Sequence, residues 1–185
     1  MRLKPGDALI LVDVQRDFCA GGALEIPDAD RIVPLVNGLI VEADAAGVPI
    51  VASRDWHPPG HASFHEAGGP WPAHCVQGGE GAQFHPDLRL PERAIIVSKG
   101  EAPERDQLSA FDATGLADRL RSLGVRRVLI VGLALDVCVL ETALDAALEG
   151  FETHLRLAGA RAITREGARA AVEKMRKAHV VVEED

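Results

Sequence analysis

Ala8-Leu9-Ile10-Leu11-Val12 runs without a polar break and then stops at a carboxylate, Asp13. Val128-Leu129-Ile130-Val131-Gly132 repeats the pattern 120 residues later. A half-exposed strand alternates apolar and polar residues, whereas an unbroken Leu/Ile/Val run of this length suits a parallel strand covered on both faces. Working outward from these two, the apolar runs at 8–12, 49–52, 94–97, 127–132, 153–157 and 180–183 predict six strands. Helical spacing lies between them. Ile32, Leu35, Val36, Leu39, Ile40 and Ala43 share one helical face, with Gly47 as the stop. Leu116, Leu120 and Leu123 end at Gly124; Leu140, Ala143, Leu144, Ala147 and Leu148 end at Gly150; Ala168, Ala171, Val172 and Met175 follow an N-cap at Thr164. Strands alternating with helices make right-handed βαβ units. The fold expected is α/β: one domain over 1–185, an open six-stranded, mostly parallel sheet with helices on both faces in three layers.

Composition narrows the function classes. The 185 residues are 47% hydrophobic, enough for a sizeable core, and the formal net charge is −8. No Lys/Arg run exceeds a pair, which disfavours a nucleic-acid or anionic-membrane partner. No apolar run approaches the roughly 18 residues that span a bilayer. Cys19, Cys75 and Cys138 are odd in number and far apart, which argues against a disulfide framework and for a reducing compartment. The polar N-terminus lacks a secretory apolar region, so a cytoplasmic location is expected.

Residues 57–91 break the alternation. They carry five of the seven histidines (His57, His61, His65, His74 and His85) together with Phe64, Trp71 and Phe84, in a chain with five Phe, two Trp and no Tyr. Unstructured stretches beyond ~15 residues within a compact domain are usually functional or disordered. A disordered loop would not gather the scarce aromatics.

In open α/β sheets, ligands bind beyond the carboxyl ends of the strands. The first four runs deliver there Asp13, the pair Asp55-x-His57, Lys99, and Cys138 at the start of a helix. Cys138 taken alone reads first as a buried structural cysteine; behind an N-cap at Asp136, the helix dipole would lower its pKa and favour a thiolate. Asp13 is either a loop cap or an acid–base group, and Lys99 either a solvated surface lysine or a cation that favours the thiolate. Asp55 and His57 project to one side of an extended segment, and with His74 they form a ligand set suited to one divalent transition metal: zinc first, with iron or manganese as alternatives. His61 is either a fourth ligand or an anchor for the loop. His65 and His85 are expected either exposed to solvent or supporting the ligands from behind, and Cys19 and Cys75 are read as packing or loop residues.

Asp13-Val-Gln-Arg-Asp-Phe18, Ser53-Arg-Asp-Trp-His-Pro-Pro-Gly-His-Ala-Ser-Phe64, Trp71-Pro-Ala-His-Cys-Val-Gln77, Lys99-Gly100 and Gly132-Leu-Ala-Leu-Asp-Val-Cys138, in this order, resemble the nicotinamidase/pyrazinamidase branch of the cysteine-hydrolase (isochorismatase-like) superfamily. The resemblance implies an Asp13–Lys99–Cys138 triad, a metal on Asp55, His57 and His74, and a pyridine ring between Phe18 and Trp71, whose bland alternative is core packing. It also implies an oxyanion hole from the N–H groups of Ala134 and Cys138, beside a cis peptide between Leu133 and Ala134. The implied activity is hydrolysis of nicotinamide, and of pyrazinamide, to the acid and ammonia in NAD salvage. The partner is then a small molecule, with a homo-oligomer left open. Two positions depart from the family: Leu135 stands where Thr is common and Leu108 where Tyr is common. The competing readings are a metal-free hydrolase of N-carbamoyl compounds, a hydrolase whose metal-bound water attacks directly, and a metal-binding or interaction protein.

Overall fold

The computed structural model describes residues 2–184. Met1 and Asp185, the ends of the expected domain, lie outside the described residues. Among the described residues, six strands form one parallel sheet: β1 (Asp7–Val12), β2 (Ile50–Asp55), β3 (Ile95–Lys99), β4 (Arg127–Leu133), β5 (Glu152–Arg161) and β6 (Val181–Glu183), in the order β3-β2-β1-β4-β5-β6. The chain therefore winds outward in both directions from β1 and β4. The crevice above their carboxyl ends is the switch point at which such sheets bind ligands.

Every expected strand is present, and the differences lie at the ends. β2 and β3 run on to Asp55 and Lys99, so the site residues belong to the strands rather than following them. β5 extends to Arg161, because its register against β4 shifts between Ile130 and Gly132 and pairing resumes at Ala160 and Arg161.

Helices α1 (Val33–Ala45), α2 (Leu116–Ser122), α3 (Cys138–Leu148) and α4 (Arg165–Lys177) follow the expected apolar faces. Gly47, at φ +65°, closes α1: its N–H donates to Asp44 O and that of Val48 to Ala43 O, the double bond of a left-handed helix end. α2 and α3 end in the same way. Thr164 caps α4 by accepting from the Gly167 N–H.

The β1 residues Ala8, Ile10 and Val12 pack with α2, α3 and α4 on one face, while Leu9 and Leu11 pack with α1 and the loops after β1 on the other. The fully buried strand interior explains the unbroken apolar runs. One expectation fails: Asp136 does not cap α3. Val137 occupies the cap position without a side-chain bond, and the Asp136 carboxylate accepts from the N–H groups of Ile163 and Thr164, tying α3 to the approach of α4.

Candidate active site

Three neighbouring strands end in charge. Asp13, just past β1, takes up φ +49° and is fully buried. Its Oδ1 accepts from Ser53 Oγ at 2.7 Å, and its Oδ2 lies 2.8 Å from Lys99 Nζ. Lys99 Nζ also meets Asp55 Oδ1 at 2.5 Å and Cys138 Sγ at 3.5 Å. Side-chain ligand atoms of Asp13, Asp55 and Cys138 all lie within 4.8 Å of one another. The structure thus gathers all three residues of the expected triad around one buried ammonium.

Burial pulls the Lys99 pKa down, but Asp13, Asp55 and the sulfur outweigh it and hold it well above its usual value. Burial raises Asp13, reinforced by Asp55 and opposed by Lys99. For Asp55 the balance reverses. Burial pushes it up, but Lys99 and His57 prevail and keep it ionised below the ordinary carboxylate range. Cys138 departs from the sequence expectation. It is the first residue of α3, as anticipated, yet burial and the two carboxylates outweigh Lys99 and push the thiol well above its usual value. In this environment it is a thiol whose proton needs an acceptor, not a standing thiolate.

Asp55, His57 and His74 form a second cluster sharing Asp55 with the first. Their ligand atoms lie within 4.8 Å of one another and all three residues are buried. His57 Nε2 is 3.7 Å and His74 Nε2 3.9 Å from Asp55 Oδ2. The other ring nitrogens are occupied: His57 Nδ1 lies 3.0 Å from Gly100 O and His74 Nδ1 2.8 Å from Pro72 O. Backbone carbonyls that fix Nδ1–H and leave Nε2 free are the usual outer support of metal-bound histidine. Two buried carboxylates against one ammonium also leave excess negative charge, which a cation would offset. The residues present therefore fit a divalent metal.

His61 is outside this trio, although one of its ring nitrogens lies within 4.8 Å of one on His57 and of an Asp106 carboxylate oxygen. It stacks on His57 at 4.2 Å, with Nδ1 2.8 Å from Ser63 Oγ and Nε2 3.1 Å from Arg105 O, so of its two expected roles the geometry favours loop anchor. His65 is exposed and bonded to Pro70 O; His85 pairs with Asp30, away from the cleft. Cys75 and Cys19 are buried, and the Cys19 thiol is pushed up to about 12 by burial and by Asp30.

A cleft open to solvent lies over Cys138 and the Asp55, His57 and His74 cluster. Phe18, Trp71, Leu108, Val137 and Ile163 make its apolar walls; Cys138, Ala134, His57 and His74 face it from below. Leu135 is packed in the core behind. The peptide between Leu133 and Ala134 is cis. As the first residue of α3, Cys138 has an N–H that its own helix cannot use, adjacent to Ala134.

Several supports went unread in the sequence. Fully buried Gln15 clamps β2 beneath the site: its Oε1 accepts from Asp55 N–H at 2.8 Å, and its Nε2 donates to Asp55 O at 2.8 Å and Ala82 O at 2.9 Å. Ser53 orients Asp13, and Asp17 Oδ2 accepts from Cys75 N–H at 2.7 Å beside His74. All three belong to the quoted motifs. For Gln15 and Ser53 the available signal was a polar residue two places from Asp13 and from Asp55; Asp17 carried no such spacing.

The chain belongs to the isochorismatase domain family, whose model matches residues 7–184. Among its relatives is the nicotinamidase of Escherichia coli (strain K12), 40% identical, with 86% of this chain and 84% of the relative covered. The zinc complex of the Pyrococcus horikoshii pyrazinamidase superposes with a TM-score of 0.95 at 46% identity, covering 98% of this chain and all of that one. An L. infantum protein in complex with nicotinate gives 0.91 at 36% identity, covering 100% of this chain and 96% of the other.

Proposed function

We infer that the chain is a nicotinamidase, hydrolysing the carboxamide of nicotinamide, and of pyrazinamide, to the acid and ammonia through a Cys138 thioester. The observation that carries this reading is the placement of Cys138 Sγ within reach of Asp13 and Lys99, on the floor of an aromatic-walled cleft, beside a buried Asp–His–His cluster. The similarity to the E. coli nicotinamidase and the Pyrococcus pyrazinamidase supports the substrate class, and the nicotinate complex supports the product.

With the pyridine ring between Phe18 and Trp71, the amide carbon lies over Cys138. Asp13 accepts the thiol proton as sulfur attacks, and the N–H groups of Ala134 and Cys138 receive the developing oxyanion. Lys99 keeps Asp13 close to the sulfur and offsets the charge that builds there. Asp13 then returns the proton to nitrogen, the C–N bond breaks and ammonia leaves. In the second half, Asp13 takes a proton from an attacking water, the thioester collapses to the acid, and the sulfur recovers the proton. When bound by Asp55, His57 and His74, a divalent ion supplies a Lewis acid beside the ring and offsets the Asp55 charge. We assign zinc, the ion in the Pyrococcus complex, with iron and manganese compatible with the same donors. Among the described residues no helix is long and apolar enough to cross a membrane.

The test is ammonia release from nicotinamide, pyrazinamide and N-carbamoyl amino acids, with metal content measured on the same sample. Nicotinamide turnover that is abolished in Cys138→Ala, with an unchanged circular-dichroism spectrum, is expected. Activity retained by that variant refutes the covalent route, and turnover of carbamoyl compounds alone refutes the substrate assignment.

A further inference from the structure

We propose that the neck of the loop at 19–30 is a second metal site, in which Cys19 Sγ, an Asp30 carboxylate oxygen and a ring nitrogen of His85 hold one zinc-like divalent ion apart from the catalytic centre. These three ligand atoms all lie within 4.8 Å of one another. His85 Nε2 and Asp30 Oδ1 are 3.1 Å apart, close to the about 3.3 Å between neighbouring N and O ligands in a tetrahedron with 2.0–2.1 Å bonds. One sulfur, one imidazole and one carboxylate make a borderline-soft set, which favours zinc-like ions over magnesium or calcium.

The three backbones are already fixed against each other. Cys19 and Asp30 stand at the two ends of the loop, and the Ala20 N–H donates to Asp30 Oδ2 at 2.9 Å. His85 arrives from the far side, its N–H bonded to Val14 O at 2.8 Å. Access comes from the exposed side. Cys19 lies beneath at 3% exposure, while the Asp30 side chain is 44% exposed and borders a hollow shared with His85 and Asp87.

Without an ion, His85 Nδ1 accepts from the Asp87 N–H at 3.1 Å, so the proton of the neutral ring sits on Nε2, toward Asp30. Binding through Nε2 moves that proton to Nδ1 and releases the exposed Asp87 N–H to water. The Cys19 thiol gives up its proton as the metal–sulfur bond forms, so one proton leaves per ion bound. The loop so pinned carries Leu24 and Ile26, which line the catalytic cleft beyond Phe18. Occupancy therefore couples the rigidity of one cleft wall to zinc supply.

The experiment uses the full chain and two probes, zinc and cadmium. Two zinc equivalents per wild-type chain are expected, against one in Cys19→Ser and in His85→Gln, with ammonia release at one zinc equivalent unchanged in both variants. The catalytic trio contains no sulfur but Cys138 lies beside it, so the cadmium arm is read in the Cys138→Ala background, where an ultraviolet thiolate-to-cadmium band is expected and is expected to vanish when Cys19→Ser is added. A single zinc equivalent in wild type, or a cadmium band that survives Cys19→Ser in the Cys138→Ala background, overturns the proposal. His85→Gln changes only a partly exposed side chain and keeps the zinc count decisive if Cys19→Ser folds poorly.

Discussion

Gly100→Ala tests the reasoning about the metal cluster without touching a ligand. Gly100 follows β3 at φ +68°, and its carbonyl holds His57 Nδ1 at 3.0 Å. A Cβ built there would sit 2.4 Å from His57 Cε1 and 2.5 Å from Nδ1, far inside van der Waals contact. Two costs follow. The left-handed backbone with a Cβ costs about 1–2 kcal/mol, which for a chain of this size lowers Tm by roughly 2–8 °C. The imidazole must also swing away from Asp55 and His74 or surrender the Gly100 carbonyl; losing such an outer support typically weakens metal binding by roughly 10–100-fold. Competition against a chelator of known affinity measures the second effect, and differential scanning calorimetry of the metal-free protein measures the first. An unchanged metal affinity together with the Tm loss would refute the placement of His57 as a ligand held by Gly100.

Gln15→Ala leaves the buried Asp55 N–H and C=O without partners and is expected to destabilise by at least about 1–3 kcal/mol, read from the denaturant midpoint; an unshifted midpoint rejects the clamp. In metal-free protein, the raised pKa of Cys138 means that thiolate is scarce at neutral pH and grows only as pH rises above the ordinary thiol range. The 240-nm absorbance difference between wild type and Cys138→Ala checks this, and a full thiolate signal at neutral pH contradicts it. Leu108→Ala removes an apolar wall of the cleft and should lower kcat/KM for nicotinamide by roughly 10-fold or more, mainly through KM and with little change in Tm, since Leu108 is only half-buried.

The elements that were legible in sequence share one cause. β1 and β4 are buried on both faces, so their residues had no polar alternation to blur the reading, and three helices ended at glycines that close them with paired bonds. Strand ends were less legible. Ser53, Arg54, Ser98 and Lys99 look like loop residues, yet they continue β2 and β3 because neighbouring strands satisfy their backbones, the site takes up the polar groups of Ser53 and Lys99, and Arg54 and Ser98 bond each other. The charged residues of the site were visible as strand termini, but the supporting polar atoms were not, since Gln15 and Ser53 act through contacts about forty residues away. Asp136 misled because the residues around an N-cap look alike in sequence, and its carboxylate found donors at Ile163 and Thr164 instead. The Cys138 environment misled because a helix start predicts a stabilised thiolate only where burial and neighbouring carboxylates do not outweigh it.

Asp55 and Lys99 are direct partners across β2 and β3, as Val12 and Gly132 are across β1 and β4. A slip of one residue between β2 and β3 would invert the faces of the slipped strand, bring Ser98 level with the Asp55 carboxylate and turn the ammonium out of the crevice. Asp55 would lose its counter-charge and the sulfur its neighbouring cation in a single event, although no functional residue had been replaced. Insertions and deletions within these two short strands should therefore be far more damaging than changes of similar size in the exposed turns of the crossover away from His57, Trp71 and His74, and the two centres stand or fall together.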